Sequence, residues 1–336
     1  MQKILVIMPN WFGETLFVTP LLRALHEARP DVSIIGMGVP RSLEVLRGNP
    51  CLSETMVYDE DGAHQRVAAK LALLPALRGF DVAVITRRSL SRTLLLALAR
   101  VRQRIGFDNP KSGWLLTHRL ALPEPGLHKA RGLLRLLQPL GIHRTDGPCE
   151  YFPTDDERAW AIGWLAHSGL GAPPVVVHPG ANWEHKRWPA ERFAQLIDRL
   201  RAERSVPVLL TGGPDDNALI QQILKKTEQP PKVLMGDTTL RQLAACLERS
   251  RLVITNDTGP AHLAAALQRP LIALFGPTLP WYTGPLGDPA RLRVLHHPDC
   301  CPSLPCLNPD HPTHPGMASI SVDEVFSAAS ELLDSV

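Results

Sequence analysis

The turn Asn256-Asp257-Thr258-Gly259-Pro260 joins the apolar run Leu252-Val253-Ile254 to an alanine-rich stretch at 261–266. A strand that turns this sharply into a helix aims free backbone N–H groups and the positive end of a helix dipole at one point, which suits a phosphate. An ordinary capped loop, with Asp257 or Thr258 as N-cap and Pro260 in the first turn, reads the same, so the turn alone leaves both possibilities open. A second loop, His178-Pro179-Gly180-Ala181-Asn182-Trp183-Glu184-His185-Lys186-Arg187-Trp188-Pro189, follows another apolar run. There Gly180 and Ala181 leave room for a ligand to approach the backbone, Lys186 offers a mobile cation for a diphosphate, and Trp188-Pro189 starts the next helix. Taken singly, Lys186 or Arg187 also fits a surface loop with a chance basic pair. A third loop, Pro9-Asn10-Trp11-Phe12-Gly13-Glu14-Thr15, combines a glycine for a tight turn with a carboxylate at a helix start. Glu14 suits either capping or general-base chemistry. The loops at 178–189 and 256–260 fall at one expected sheet edge, so a phosphate-binding helix start faces a lysine loop, as in a nucleotide-diphosphate site without a P-loop.

The elements that must position these loops alternate. Short apolar runs at 4–8, 32–37, 56–58, 81–85 and 103–105 read as strands, with helical patterns between them that include 67–77 and a long helix over 128–140 closed by Gly141. The pattern restarts with strands at 175–178, 206–211, 233–234, 252–255 and 271–275. Strand–helix alternation predicts an α/β protein of two doubly wound, Rossmann-like parallel-sheet domains facing a central cleft. The expected divisions are a first domain over 1–155, a joint over 156–172, a second domain over 173–320, and a last helix within 321–336 that packs back on the first domain. Gly36-Met37-Gly38 lacks the third glycine of a dinucleotide fingerprint, and neither a Walker A loop nor a Gly-x-Ser-x-Gly elbow is present.

With 336 residues, 44% hydrophobic and 21% charged, the chain has material for two ordinary cores. No apolar run approaches the ~18 residues of a membrane span, and the first strand is too short for a signal-peptide core, so a cytoplasmic protein is expected. Net charge is only +3, but positions 78–131 hold eleven Lys/Arg against Asp81, Asp108 and Glu124. That excess predicts an anionic partner, unless it only solvates helix faces. Cys300, Cys301 and Cys306 lie near His296, His297, His311 and His314. Adjacent cysteines followed by a four-residue gap fit zinc spacing poorly, so neither a metal nor any other cofactor is expected there, only a proline-stiffened loop with buried or free thiols.

Several of these stretches together resemble glycosyltransferase family 9, the ADP-heptose:lipopolysaccharide heptosyltransferases, and within it the heptosyltransferase II type. They are Lys186-Arg187-Trp188-Pro189 after His178-Pro179-Gly180-Ala181, the Asn256–Pro260 turn with His262, and Trp11-Phe12-Gly13-Glu14 followed by Thr19-Pro20. Arg104-Ile105-Gly106-Phe107, Leu115-Leu116-Thr117-His118-Arg119, Gly212-Gly213-Pro214-Asp215, Gly236-Asp237-Thr238-Thr239-Leu240 and the Cys/Pro-rich tail also match. The resemblance covers nearly the whole chain and implies a GT-B fold and inverting, metal-independent heptosyl transfer from ADP-heptose to the anionic inner core of lipopolysaccharide. It implies work at the inner face of the membrane, peripherally, with no nucleic acid as partner. It assigns Glu14 as base, Lys186 to the leaving diphosphate, and Gly180, Ala181, Asn182, Asp215, Thr238, Asp257, Thr258, Gly259 and His262 to the donor. Asn10, Trp11, Gly13, Arg87, Arg88 and Arg92 would meet the acceptor. The family usually carries Asp where Glu14 stands, a shift of about one C–C bond for the carboxylate. Another nucleotide sugar, a 2-epimerase of the same architecture, or a catalytically weak nucleotide- or lipopolysaccharide-binding relative are the competing readings.

Overall fold

The computed structural model describes residues 2–236, 238–301, 303–306 and 314–335. The chain divides into two units, Met1–Phe152 and Pro153–Val336. In the first, strands β1 (Lys3–Ile7), β2 (Ser33–Gly38), β3 (Glu54–Val57), β4 (Val82–Ile85), β5 (Gln103–Phe107) and β6 (His118–Leu120) form one parallel sheet ordered β3-β2-β1-β4-β5-β6. In the second, β7 (Val175–His178), β8 (Val208–Gly212), β9 (Lys232–Met235), β10 (Leu252–Asn256), β11 (Leu271–Phe275) and β12 (Leu292–His296) repeat that arrangement as β12-β11-β10-β7-β8-β9. Counted from the first strand of each unit, both sheets have the Rossmann order 3-2-1-4-5-6. Helices cover both faces of such a sheet, so β4, β7, β10 and β11 are buried throughout and read as continuous Val/Ile/Leu runs.

Where the structure departs from the sequence reading, the reasons are local. Strands β6 and β12 escape an apolar-run search because they are edge strands carrying Arg and His. The helical pattern at 67–77 splits into Val67–Leu71 and Leu74–Leu77, with Pro75 in the first turn of the second piece. The long helix expected over 128–140 is α-helical only over Lys129–Leu134 and continues as a 3-10 segment, Arg135–Leu140, that contains Pro139.

The expected joint over 156–172 is mostly a regular helix, Asp155–His167, of the second unit. Thr154 and Glu157 form a capping box at its start. The Glu157 carboxylate also takes two hydrogen bonds from the buried guanidinium of Arg241, whose Nη2 donates at 2.8 Å, tying this helix to Leu240–Glu248. The final helix, Val322–Asp334, is the clearest correction. Val325, Ala328, Ala329, Leu332 and Leu333 enter the core of the second unit with Phe193, Ile197 and Leu200 of the helix Ala190–Arg204. Their 3–4-residue spacing makes one apolar stripe, and the helix Ala190–Arg204 supplies the matching one.

Candidate active site

In a sheet of this order, the loops leaving the strands on either side of the reversal diverge and open a crevice at their carboxyl ends. In the second unit the reversal lies between β7 and β10, the strands that lead into the loops at 179–189 and 257–259. There Lys186 Nζ donates to Asp257 Oδ2 at 2.6 Å, with the two side chains only 18% and 7% exposed. Thr278 Oγ1 donates to the same oxygen at 2.6 Å. Asn256, fully buried, joins the two loops: its Oδ1 accepts from Trp188 N and its Nδ2 donates to Pro179 O at 2.7 Å. Trp188 is itself buried and donates through Nε1 to Ile320 O. The Lys186 ammonium also lies 5.0 Å from the Trp183 ring centre.

The capped-loop alternative does not fit this geometry. Thr258 occupies the N-cap of the helix Gly259–Ala266 but makes no side-chain cap bond, and the Asp257 carboxylate is engaged by Lys186 and Thr278. Neither Thr258 nor Asp257 therefore caps the first turn, which suits a helix start that meets an anion.

Gly180 has a second reason to be glycine. A Cβ there would sit 2.2 Å from Asp216 Oδ2, so a buried carboxylate fills the side of the backbone that a side chain would take. Asp216 also accepts from Gly213 N at 3.0 Å and from Arg187 Nη2 at 3.4 Å, while Arg187 Nε holds Ala181 O. Arg187 thus shapes the loop. Asp215, Asn182 and half-buried Thr238 stand at the carboxyl-end loops, the first two exposed; Ala181 and His262 are buried. His178, at the end of β7, shares a hydrogen bond of 3.0 Å with Thr211 Oγ1. Burial pushes its imidazole down to about 4, against an opposing pull from Asp216. Asp237 of the Gly236–Leu240 motif lies outside the described residues.

The first unit reverses between β1 and β4. Glu14, in the first turn of the helix Phe12–Leu16, is ion-paired with Lys129, and both side chains are about one-third exposed at 35% and 31%. Gly13 belongs to the same turn, and Trp11, its N-cap residue, is 61% exposed beneath the Arg41 guanidinium. Beside it is a cluster that the sequence reading missed. Asn10 Nδ2 donates to Glu60 Oε1 at 3.0 Å, and Arg92 Nη2 donates to Asn10 Oδ1 at 3.0 Å. Arg87 donates to the same Glu60 oxygen at 3.2 Å. Burial raises the Glu60 carboxyl, but the Asn10 hydrogen bond with the Arg92 and Arg87 charges outweighs it and holds the group below the usual range. No motif marks Glu60; its only signal is a carboxylate in the loop leaving β3.

Arg92, expected to meet the acceptor, is fully buried against the Tyr58 ring at 4.8 Å. Its Nε and Nη1 have no hydrogen-bond partner among the described residues, and burial pushes the guanidinium down to about 10. Arg88 is exposed. Several other charges of the basic segment are used internally: Arg104 donates to Leu115 O and Val101 O, and Arg131 pairs with Asp146. Acceptor contacts therefore fall to fewer cations than the count of eleven suggests. In the tail, Cys300 is exposed and His311 lies outside the described residues, but one ligand atom each from Cys301, Cys306 and His314 lies within 4.8 Å of the other two. This convergence runs against the expectation from spacing.

The model of glycosyltransferase family 9 (heptosyltransferase) matches residues 71–310. The chain belongs to that family. Among curated relatives, this family 9 chain is 30% identical over 281 residues to lipopolysaccharide heptosyltransferase 3 of Escherichia coli, covering 80% of this chain and 82% of the relative. It is 28% identical over 309 residues to lipopolysaccharide heptosyltransferase 2 of Escherichia coli K12, covering 88% of each. Among solved structures, the family 9 glycosyltransferase of Veillonella parvula superposes with a TM-score of 0.89 at 25% identity, over 100% of this chain and 98% of that one. The Escherichia coli ADP-heptose lipopolysaccharide heptosyltransferase II does so with a TM-score of 0.82 at 25% identity, over 99% of each. The family 9 chain is a glycosyltransferase with two Rossmann-like sheets of GT-B type. No helix among its described residues is long and apolar enough to cross a membrane.

Proposed function

We propose that this enzyme transfers heptose from ADP-heptose to the inner core of lipopolysaccharide, with inversion. The observation that carries the reading is the Lys186–Asp257 pair set beside a helix start that neither Asp257 nor Thr258 caps, at the reversal of the second sheet. A diphosphate there meets backbone N–H groups, a helix dipole and a lysine that Asp257 already holds in place. The acceptor belongs to the first unit. Its hydroxyl gives a proton to Glu14 while its oxygen bonds to the anomeric carbon. The bond from that carbon to the ADP oxygen breaks, and Lys186 with the Gly259 turn takes up the charge on the departing ADP. Lys129 orients Glu14. Gly180, Ala181, Asn182, Asp215, Thr238 and His262 complete the donor side; Asn10, Trp11, Gly13, Arg87 and Arg88 form the acceptor side, with Glu60 organising Asn10 and Arg87 and the buried Arg92 supporting them from behind.

The enzyme works peripherally at the anionic inner leaflet where its lipid-linked acceptor resides. What supports this is the helix Leu90–Leu98, whose Leu90, Leu94 and Leu98 are 47%, 39% and 49% exposed at four-residue spacing. Exposed Arg88, Arg100 and Arg102 flank that stripe. Incubation with ADP-heptose and heptose-deficient lipopolysaccharide tests the reaction. Release of ADP with addition of one heptose to the acceptor is the expected result; an epimerised sugar nucleotide, or binding without turnover, refutes it.

A further inference from the structure

Cysteine is a soft ligand and imidazole a borderline one. Two thiols and an imidazole converging on one point form a donor set for a thiophilic divalent ion such as Zn²⁺ or Fe²⁺. Cys301, Cys306 and His314 converge in this way, with Cys306 and His314 buried and Cys301 half-buried. Two sulfurs about 2.3 Å from one tetrahedral zinc lie about 3.8 Å apart, so ligand atoms within 4.8 Å of one another need only a small closure. Cys301 Sγ donates to Ser303 O at 3.3 Å, and His314 Nδ1 accepts from Gly316 N at 3.1 Å as the N-cap of a five-residue helix, Pro315–Ser319. A metal–imidazole bond outweighs that neutral cap bond.

The place of the cluster matters as much as its chemistry. Cys306 N donates to Pro277 O at 2.8 Å. The next residue, Thr278, donates to the Asp257 carboxylate that holds Lys186. Gly276, one residue back, is pressed by Met317, whose Cγ would lie 2.5 Å from a Cβ there. The tail around Cys306 and Met317 therefore grips the loop after β11 that braces the Lys186–Asp257 pair.

We propose that Cys301, Cys306 and His314 bind one thiophilic divalent metal ion, which clamps the tail onto the loop Gly276–Thr278. Binding converts two thiols to metal-bound thiolates and releases their two protons to water, with no change of oxidation state. Three protein ligands leave one tetrahedral position for water or another side chain. The role is structural, so the site does not depend on which sugar nucleotide the enzyme uses.

The test uses the full chain, purified without chelator from zinc-supplemented cells and analysed for metals by mass spectrometry. About one zinc or iron per chain is expected, falling at least tenfold in Cys306→Ser and in Cys301→Ser, the second of which touches a less buried position. Chelated wild-type chain titrated with Co²⁺ should show thiolate-to-cobalt charge transfer, absent from the Cys301→Ser/Cys306→Ser chain. Hydrogen exchange should speed up at Gly276 and Thr278 on chelation while circular dichroism is retained. Metal-free wild-type chain that gives no cobalt band, whether its thiols are free or joined as a Cys301–Cys306 disulfide, overturns the assignment. So does full metal content in the double variant. Unchanged exchange at Gly276 and Thr278 overturns the clamp.

Discussion

A carboxylate that takes a proton in a transition state needs orientation as well as basicity, and in the mechanism proposed for Glu14 its ion pair with Lys129 supplies the orientation. Glu14→Gln keeps the size and hydrogen bonding of the side chain but accepts no proton. Its turnover should fall by about 10²–10⁴ with ADP affinity unchanged, as initial rates and calorimetry will show. Glu14→Asp, which places the usual family residue on the same turn, should retain measurable turnover; inactivity there means that the acceptor of this enzyme sits one C–C bond away from its usual place. At the other end of the reaction, Lys186→Ala removes a charge-assisted contact worth about 1.5–3 kcal/mol, or roughly 10–150-fold in ADP-heptose affinity. Asp257, 7% exposed, then keeps only its bond from Thr278 and loses its cation, so the unfolding midpoint should fall as well while the fold is retained. Unaltered donor affinity would assign Lys186 to the loop's surface instead.

Strand ends aim the site, and the end of β7 carries a pH dependence. His178 is buried and neutral, with its pKa pushed down to about 4, whereas an unfolded histidine titrates near 6.5. The unfolded chain therefore binds more protons than the folded one between these values. The contribution of His178 is fully present above about pH 6.5 and is lost as pH falls toward about 4, at up to ~1.4 kcal/mol per pH unit. Urea unfolding at pH 7 and pH 5 measures the loss. In His178→Asn it should shrink by about 1–2 kcal/mol, leaving the slope that carboxylates supply; an identical slope in the variant would place the pH sensitivity elsewhere. The loop that follows is equally constrained, since Gly180 abuts Asp216, which accepts from both Gly213 and Arg187.

Charge and exposed apolar surface act over the whole molecule. The net charge is only +3, so the proposed binding to an anionic membrane rests on local asymmetry rather than on the total. The exposed leucines at 90, 94 and 98 with their flanking arginines are the source we propose for it. Wild-type chain should co-sediment with phosphatidylglycerol vesicles at low ionic strength and release as salt screens the arginines. Leu94→Glu should weaken that binding about tenfold, the loss expected for withdrawing one leucine from the interface. Turnover on a soluble, delipidated acceptor should be unaffected, because Leu94 lies outside the proposed acceptor contacts. Equal sedimentation of the two proteins would leave the stripe without a membrane role.

Apolar runs of four to six residues separated by helical periods dictate parallel strands covered on both faces, because backbone pairing and burial period are local properties of a chain. The two Rossmann-like halves, the lysine loop and the Asn256–Pro260 turn were legible on that basis. Side-chain partnerships were not. Asn10 meets Glu60 and Arg92, 50 and 82 residues away, because the sheet order brings the ends of β1, β3 and β4 to the same edge. Asp216 closes on Gly180, and Cys301, Cys306 and His314 converge through a fold of the tail that their spacing disguised. The last helix has an amphipathic stripe that any apolar groove could receive, and only tertiary packing placed it on the helix Ala190–Arg204. Sequence periodicity determined which elements form; the order in which they stack decided which charges, thiols and carboxylates meet.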